Sequence, residues 1–374
     1  MKNKKKKLYF DGTPLVGKYL SGVGTVLLET LRALDTDYYY NRYDITIFLP
    51  YGEGKQIEKF RFKGLRTAEL PYTHKFLSLF SRLRYGPPID VILGRGIYVF
   101  ENYRNWNLLF SKSITYVHDV VYLLHPEFVQ PANLAYLKKY MPLWLKRADR
   151  VVTVSRSAQS DIEASLGLKD VSVILNAPNK SMSKRPASEV ARVISNWQIP
   201  QDYFLYIGNI EPRKNLVNMI EGFTKYILRS KKAYALVMIG GGGWKNDEIF
   251  QAIEGARKSG VTIVLPDGYV PDEDMPAIVS GAKALLQLSW YEGYGLSVAQ
   301  ALACGTPVVA SDISSLKEVS EGNEKNVVFV NPGSVKDISK AIESVAKIPK
   351  ARRPELSTSW QKSVVSLLEV IGEL

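Results

Sequence analysis

Residues Trp290 to Pro307 read W-Y-E-G-Y-G-L-S-V-A-Q-A-L-A-C-G-T-P. An acidic residue, Glu292, sits on a glycine-rich turn that opens an amphipathic helix, and Gly305 with Pro307 stops that helix. The first N–H groups of a helix lack partners within it, and the helix dipole adds partial positive charge there. With glycine letting a ligand come close, the main chain of Gly295, Leu296, Ser297 and Val298 suits a phosphate. Glu292 would repel a phosphate placed beside it, so it is better matched to hydroxyl groups on whatever the phosphate carries. A sugar diphosphate meets both demands.

A second anion site is offered by Y-I-G-N-I-E-P-R-K-N-L at 206–216. An apolar strand ends at Gly208, Asn209 continues the loop, and Arg213 and Lys214 stand where the next helix starts. Cations there oppose the helix dipole, and a local choice that breaks a rule often marks function. A bound diphosphate would offset the placement and receive charge-assisted hydrogen bonds. Solvated surface cations are the plainer alternative. Gly240 to Gly243 follow a further strand and suit either close approach of a ligand or a simple turn. In G-Y-V-P-D-E-D at 268–274 the main chain of Tyr269 and Val270 is placed to border a nucleobase, and Asp272 or Asp274 reads as a helix-start residue.

The first half carries weaker signals. Ser21-Gly22-Val23-Gly24 is a glycine loop feeding an apolar helix with Val26, Leu27 and Leu31. Leu27 occupies the place of the third glycine of the dinucleotide fingerprint, which disfavours NAD. His118 follows the strand I-T-Y-V, at the carboxyl end where ligands of parallel sheets collect, although a lone histidine is more often structural. His74, His118 and His125 lack the spacing of a helix-borne zinc pair, and no metal site or cofactor is expected. Cys304, alone and inside an apolar helix, reads as a packing residue in a chain from a reducing compartment.

Short apolar runs alternating with helical patterns must position these residues. The expected strands of the first half are Leu8–Phe10, Ile45–Leu49, Val91–Leu93, Ile114–Val117, Val151–Val154 and Ser172–Leu175. Those of the second half are Tyr203–Ile207, Ala235–Ile239, Thr262–Leu265, Ala284–Leu288, Pro307–Ala310 and Val327–Val330. Such alternation predicts an α/β protein with two similar domains, each a parallel sheet covered by helices. Leu216, Met219, Ile220, Phe223 and Ile227 recur at helical spacing over 215–229. Polar, proline-punctuated sequence at 176–188 places the boundary, giving domains at 1–178 and 200–356 with a linker at 179–199. The end, 357–374, predicts an amphipathic helix behind a serine or threonine cap.

The 374 residues carry a formal net charge of +12, and five lysines among the first seven residues supply a large part of it. No apolar run follows that head, and no segment approaches the ~18 uninterrupted apolar residues of a membrane span. Basic and apolar residues mix at 74–86, H-K-F-L-S-L-F-S-R-L-R-Y-G, which reads either as an interfacial helix for an anionic membrane face or as a solvated surface helix. No nucleic-acid module or aromatic stacking platform accompanies the charge, so nucleic acid is not an expected partner.

Taken together these motifs resemble the retaining glycosyltransferases of family 4, whose GT-B fold faces two Rossmann-like domains across a cleft. G-N-I-E-P-R-K-N-L, G-Y-V-P-D-E-D and Y-E-G-Y-G-L-S-V-A-Q-A-L-A-C-G-T-P-V-V-A-S carry the resemblance most specifically, with D-G-T-P-L, S-G-V-G and V-H-D-V-V-Y-L-L-H-P-E agreeing in the first half. The last resembles mannosyl- and rhamnosyl-type members that build surface polysaccharides. The resemblance implies a nucleotide-sugar donor, no essential metal, and a glycan or lipid-linked acceptor. It implies a cytoplasmic enzyme, peripheral on the inner membrane face if the acceptor is lipid-linked. It assigns Arg213 and Lys214 to the donor diphosphate, together with the main chain of Gly295 to Val298. Glu292 would hold sugar hydroxyls, and His118 would lie against the sugar from the other domain. Gly22 and Gly24 would face phosphate or acceptor, and the final helix would return to the first domain. A non-catalytic nucleotide-sugar binder is the alternative. One departure stands out: the family places a second glutamate, commonly on the ribose, where this chain has Gln300.

Overall fold

The computed structural model describes residues 5–82, 86–351 and 358–374. The first four residues, the 83–85 part of the basic segment and residue 357 lie outside them. Among the described residues, thirteen strands form two sheets in which every pairing is parallel. The first sheet comprises β1 (Lys6–Asp11), β2 (Tyr43–Leu49), β3 (Arg66–Glu69), β4 (Ile97–Phe100), β5 (Lys112–Tyr116), β6 (Arg150–Thr153) and β7 (Ser172–Val173). The second comprises β8 (Tyr203–Ile207), β9 (Ala235–Ile239), β10 (Ile263–Val264), β11 (Leu285–Gln287), β12 (Val308–Ser311) and β13 (Val327–Val330).

The orders are β3-β2-β1-β4-β5-β6-β7 and β10-β9-β8-β11-β12-β13. Each is doubly wound, with the winding direction reversing beside its first strand: between β1 and β4 in one sheet, between β8 and β11 in the other. A crevice opens outside the carboxyl ends at such a reversal, because the loops on its two sides leave toward opposite faces. Both faces of a parallel sheet are covered, which is why Y-F-L-Y of β8 and A-L-V-M-I of β9 are buried runs without a charged residue.

The chain divides into two compact units, Met1–Asn176 with Thr358–Leu374, and Ala177–Ser357. Helix Trp360–Gly372, capped by Ser359, belongs to the first unit. It packs on helix Gly22–Leu34, Ser363 Oγ donates to the Leu175 carbonyl at 2.5 Å, and Lys6 Nζ donates to the Ile371 carbonyl at 2.6 Å.

Several elements differ from the sequence expectation. Val91–Leu93 lies in a single helical turn, Asp90–Leu93, with Val91 60% and Ile92 44% exposed. The strand at that point of the sheet is instead β4, I-Y-V-F, buried throughout. A three-residue apolar run cannot be told from a helical turn by periodicity, and the buried one was the longer. The expected linker 179–199 contains helix Ala187–Asn196, whose Val193 and Ile194 are buried and which packs on helix Met275–Gly281 of the same unit. Helix Leu216–Ser230 covers the 215–229 pattern, with all five of its apolar positions buried. Cys304 is buried, and burial pushes its thiol up to about 11.

Candidate functional site

Both anion-site motifs of the second unit leave the carboxyl ends of the strands flanking its reversal, β8 and β11. The β8 loop ends in a 3-10 turn, Pro212–Lys214, begun by Glu211 and closed by Asn215 in the left-handed region at φ 56°. That kink separates Arg213 and Lys214 from helix Leu216–Ser230 and turns both cations toward the β11 loop. Trp290 N donates to the Arg213 carbonyl at 2.9 Å, so the two loops are also joined by main chain.

Glu292 is the hub of the arrangement. Its Oε1 accepts from Lys214 Nζ (2.6 Å), Ser289 Oγ (2.7 Å) and Gln287 Nε2 (2.8 Å), and its Oε2 from Arg213 Nη1 (3.0 Å). Arg213 is fixed in turn by Glu211 Oε1, which accepts from its Nε at 3.1 Å and its Nη2 at 2.8 Å, and by the Tyr291 carbonyl at 3.0 Å. Burial alone would raise the Glu292 carboxyl; Lys214 and Arg213 beside it prevail and hold it at about 2. At neutral pH the group is therefore ionised and accepts hydrogen bonds without donating one. Lys214 is lowered from its ordinary value by burial and by Arg213, with Glu292 opposing. An ammonium has three donors; one goes to Glu292.

The helix expected after Glu292 begins only at Leu296, behind Gly295 at φ 107°. Among the described residues nothing accepts the N–H of Leu296 or Ser297, whereas those of Val298 and Ala299 already donate to the Gly295 carbonyl at 3.0 and 3.1 Å. Gly295 N has no acceptor among the described residues either, so of the donors at 295–298 only that of Val298 is taken. Ser297 Oγ donates to Gln287 Oε1 at 2.8 Å, linking the helix start to the Glu292 cluster. Gln300 is half-buried on the second turn of Leu296–Ala303. Because 292–295 is loop, the two residues are not two helical turns apart on one face.

Gly208 and Gly240 meet each other. Gly208 N donates to the Ile239 carbonyl at 2.9 Å and Ile210 N to the Gly241 carbonyl at 3.0 Å. A Cβ on Gly240, at φ 156°, would overlap the Gly208 carbonyl oxygen. These glycines let the loops after β8 and β9 run on side by side in parallel, bridged at Ile210 and Gly242, and Asn209 lies in that paired stretch with its carbonyl taking the Tyr206 hydroxyl at 2.7 Å. In the segment after β10, Tyr269 is exposed and donates to Asp272 Oδ1 at 3.3 Å, while Val270 is buried. Asp274 holds the helix-start position of Met275–Gly281 but uses its carboxylate to accept from Trp197 Nε1 at 2.8 Å.

In the first unit, Gly22 opens helix Gly22–Leu34 and Gly24 N donates to the capping Ser21 Oγ at 3.2 Å. His118, half-buried beyond β5, shares a 2.7 Å hydrogen bond between Nε2 and the Glu101 carbonyl and stacks on Tyr116. Burial lowers its pKa, against the Glu101 carbonyl and Asp119. Among the described residues no three His, Cys, Asp or Glu side chains group as a metal site, and no helix is long and apolar enough to cross a membrane.

Sequence reasoning passed over Glu211, Gln287 and Ser289, all buried around Glu292. Gln287 and Ser289 had a readable signal: polar residues interrupting the apolar run A-L-L-Q-L-S.

Two doubly wound parallel sheets, with paired cations and an anchored carboxylate at one reversal point, define the GT-B class. The fold is shared with a glycosyltransferase from Rickettsia africae (TM-score 0.65, 14% identity, 99% of this chain and 98% of that one). It is shared too with Anabaena HepE solved with UDP and glucose (TM-score 0.69, 15% identity, 99% and 100%). The family model described as Glycosyltransferase Family 4 matches residues 20–179, and that described as Glycosyl transferases group 1 matches 188–360. The chain belongs to glycosyltransferase family 4. O-antigen chain mannosyltransferase B of Escherichia coli is 31% identical over 212 residues, 56% of this chain and 55% of that protein. O-antigen chain mannosyltransferase RfbU of Salmonella typhimurium is 27% identical over 248 residues, 65% and 63%. These matches span little more than half of each relative's length.

Proposed function

We propose that the protein is a retaining, metal-independent glycosyltransferase of polysaccharide synthesis. It moves a mannose- or rhamnose-like sugar from a nucleotide diphosphate to a glycan or lipid-linked acceptor. The observation that carries this reading is the Arg213–Lys214–Glu292 cluster at the β8/β11 reversal: two cations prepositioned for a diphosphate, and an anion prepositioned for hydroxyls. The mannosyltransferase relatives support the sugar class.

In this scheme the acceptor oxygen attacks the anomeric carbon from the face the diphosphate leaves. The carbon–oxygen bond to phosphate breaks as the new glycosidic bond forms, and the acceptor's proton passes to the departing phosphate oxygen. Arg213, the remaining donors of Lys214 and the N–H groups of Leu296 and Ser297 stabilise charge growing on the leaving group. Glu292, with one oxygen accepting three hydrogen bonds and the other tied to Arg213, is a poor nucleophile; it orients sugar hydroxyls instead. Gln300 accepts from a ribose hydroxyl, and the main chain at Tyr269 and Val270 borders the base. The basic and apolar residues of helix His74–Phe80, where Phe76 and Leu79 are exposed, rest on an anionic membrane surface when the acceptor is lipid-linked.

The test is a panel of UDP, GDP, dTDP, ADP and their sugars, read first as thermal stabilisation and then as transfer. Ligand at 100 times its dissociation constant raises stability by about 2.7 kcal/mol. One nucleotide standing out, with a product of unchanged anomeric configuration by NMR, supports the reading. An inverted product, or a glycosyl–enzyme bond trapped on Glu292, sinks the mechanism; binding without transfer or hydrolysis sinks the enzyme.

A further inference from the structure

The first unit has a reversal of its own, between β1 and β4, and a carboxyl group stands on each side of it. Asp11 is the last residue of β1 and Glu101 the first after β4. They are 3% and 0% exposed. Asp11 Oδ1 accepts from Thr13 N at 3.0 Å. Neither side-chain oxygen of Glu101 has a hydrogen-bond partner. An ionised carboxylate so placed is costly, and two neighbouring buried carboxyls resist both being ionised. Burial, then the charge of Asp11, pushes Glu101 up to about 8; burial pushes Asp11 up to about 6, against Thr13 and Arg104 and with Glu53. At neutral pH the pair holds one proton, and it resides on Glu101.

The main chain of the same residue meets His118. A carbonyl oxygen only accepts, so His118 Nε2 must donate across the 2.7 Å contact. Burial keeps the ring neutral, opposed by the Glu101 carbonyl and Asp119. A neutral imidazole with its proton on Nε2 has a bare lone pair on Nδ1. His118 is thereby set to accept from a hydroxyl.

We infer that Glu101 is a positioning residue: uncharged beside Asp11, it fixes His118 through its main-chain carbonyl and presents the ring's Nδ1 as an acceptor at the carboxyl edge of the first sheet. Ionising Glu101 would put a second anion behind Tyr116 and beside Asp11. The main chain that holds His118 would then move to relieve it. For its kinetic arm this inference rests on the proposed glycosyl transfer; its stability arm does not.

Glu101→Gln imitates the uncharged acid, and Glu101→Ala removes it. In transfer assays the alanine variant should lose about tenfold in kcat with donor KM little changed, and glutamine should restore most of that loss. The wild type should lose turnover as pH rises through about 8, and the glutamine variant should not. In thermal unfolding, the folded protein retains a proton that the unfolded chain has released above the ordinary carboxyl value of 4.5. Stability should therefore fall as pH rises, until Glu101 ionises near 8 in the native state. Asp11 and His118 contribute below about 6.5, and Lys350, lowered to about 8 by burial and neighbouring lysines, enters only at the upper edge. Between about 6.5 and about 8 the difference between wild type and Glu101→Gln therefore reports Glu101. Glu101→Gln should lack the fall that the wild type shows. Glutamine as damaging as alanine, or a stability slope that glutamine leaves in place, overturns the inference. A wild type that transfers nothing overturns the proposed reaction and leaves the stability arm standing. Should the alanine variant not fold, the two glutamine profiles decide.

Discussion

Replacing Lys214 by methionine removes a charge from the Glu292 cluster while keeping the length of the side chain. Holding Glu292 at about 2 instead of the ordinary 4.5 favours its ionised form by about 3 kcal/mol, at ~1.4 kcal/mol per pH unit. The direction of the linkage is fixed: a depressed carboxyl stabilises the native state above its unfolded value, and loses that contribution as pH falls through its folded value. Lys214 is the larger of its two cationic partners. Breaking a buried ion pair by removing one partner costs ~3–5 kcal/mol. Arg213, Ser289 and Gln287 still serve the carboxylate, so the loss at neutral pH should fall near ~2–3 kcal/mol. Urea unfolding of both proteins from pH 7 downward measures it, with carbon-13 NMR of the Glu292 carboxyl as the direct readout. The gap should narrow as pH drops below 4.5 toward 2, because a protonated Glu292 no longer needs the ammonium. A gap that stays constant through that range, or a Glu292 titration unmoved by the substitution, refutes the assignment of Lys214 as the main counter-ion.

The same substitution should lower turnover by orders of magnitude; a mild loss contradicts a role for Lys214 on the leaving group. Gln300→Glu should tighten donor binding by about 1 kcal/mol, roughly fivefold, since charge-assisted bonds are about twice as strong as neutral ones. An unchanged affinity by calorimetry removes Gln300 from the ribose. Gly240→Ala drives a methyl group into the Gly208 carbonyl and should cost ~3 kcal/mol, read as a lowered unfolding midpoint; a neutral result disproves the close approach of the two main chains there. Wild-type protein should float with anionic vesicles, and Phe76→Ser with Leu79→Ser should release it; no flotation by the wild type removes the membrane from the proposal.

What was legible in the sequence depended on how strongly each segment was buried. The strands of the second sheet are mostly apolar, with Gln287 and Ser311 standing only at strand ends, so their carboxyl ends, and with them Arg213, Lys214 and Glu292, could be placed from pattern alone. Val91–Leu93 misled because three apolar residues suit a surface turn as well as a strand, while I-Y-V-F, the true strand, sat a few residues on. The place of Gln300 relative to Glu292 could not be read from helical spacing, because Gly295 in the left-handed region starts the helix after the glutamate. Gly240 to Gly243 suited either a ligand or a simple turn, yet Gly240 is spent on the close approach of the Gly208 main chain, which only pairing in space reveals. Glu101 gave no sign beyond a charged letter after an apolar run; its isolation arises from tertiary burial.

Helix Trp360–Gly372 is synthesised after all of Ala177–Ser357, yet it packs on the helix at Gly22–Leu34 and its Ile371 carbonyl receives Lys6 from the first strand. Domains generally fold as they emerge from the ribosome, and here the second unit has its whole sequence available first. The earlier-made unit must wait, with its helix Gly22–Leu34 lacking the helix that packs on it, until Trp360–Gly372 has been made. Order of synthesis and order of completion are reversed in this chain, and chaperone demand during translation should fall on its amino-terminal half.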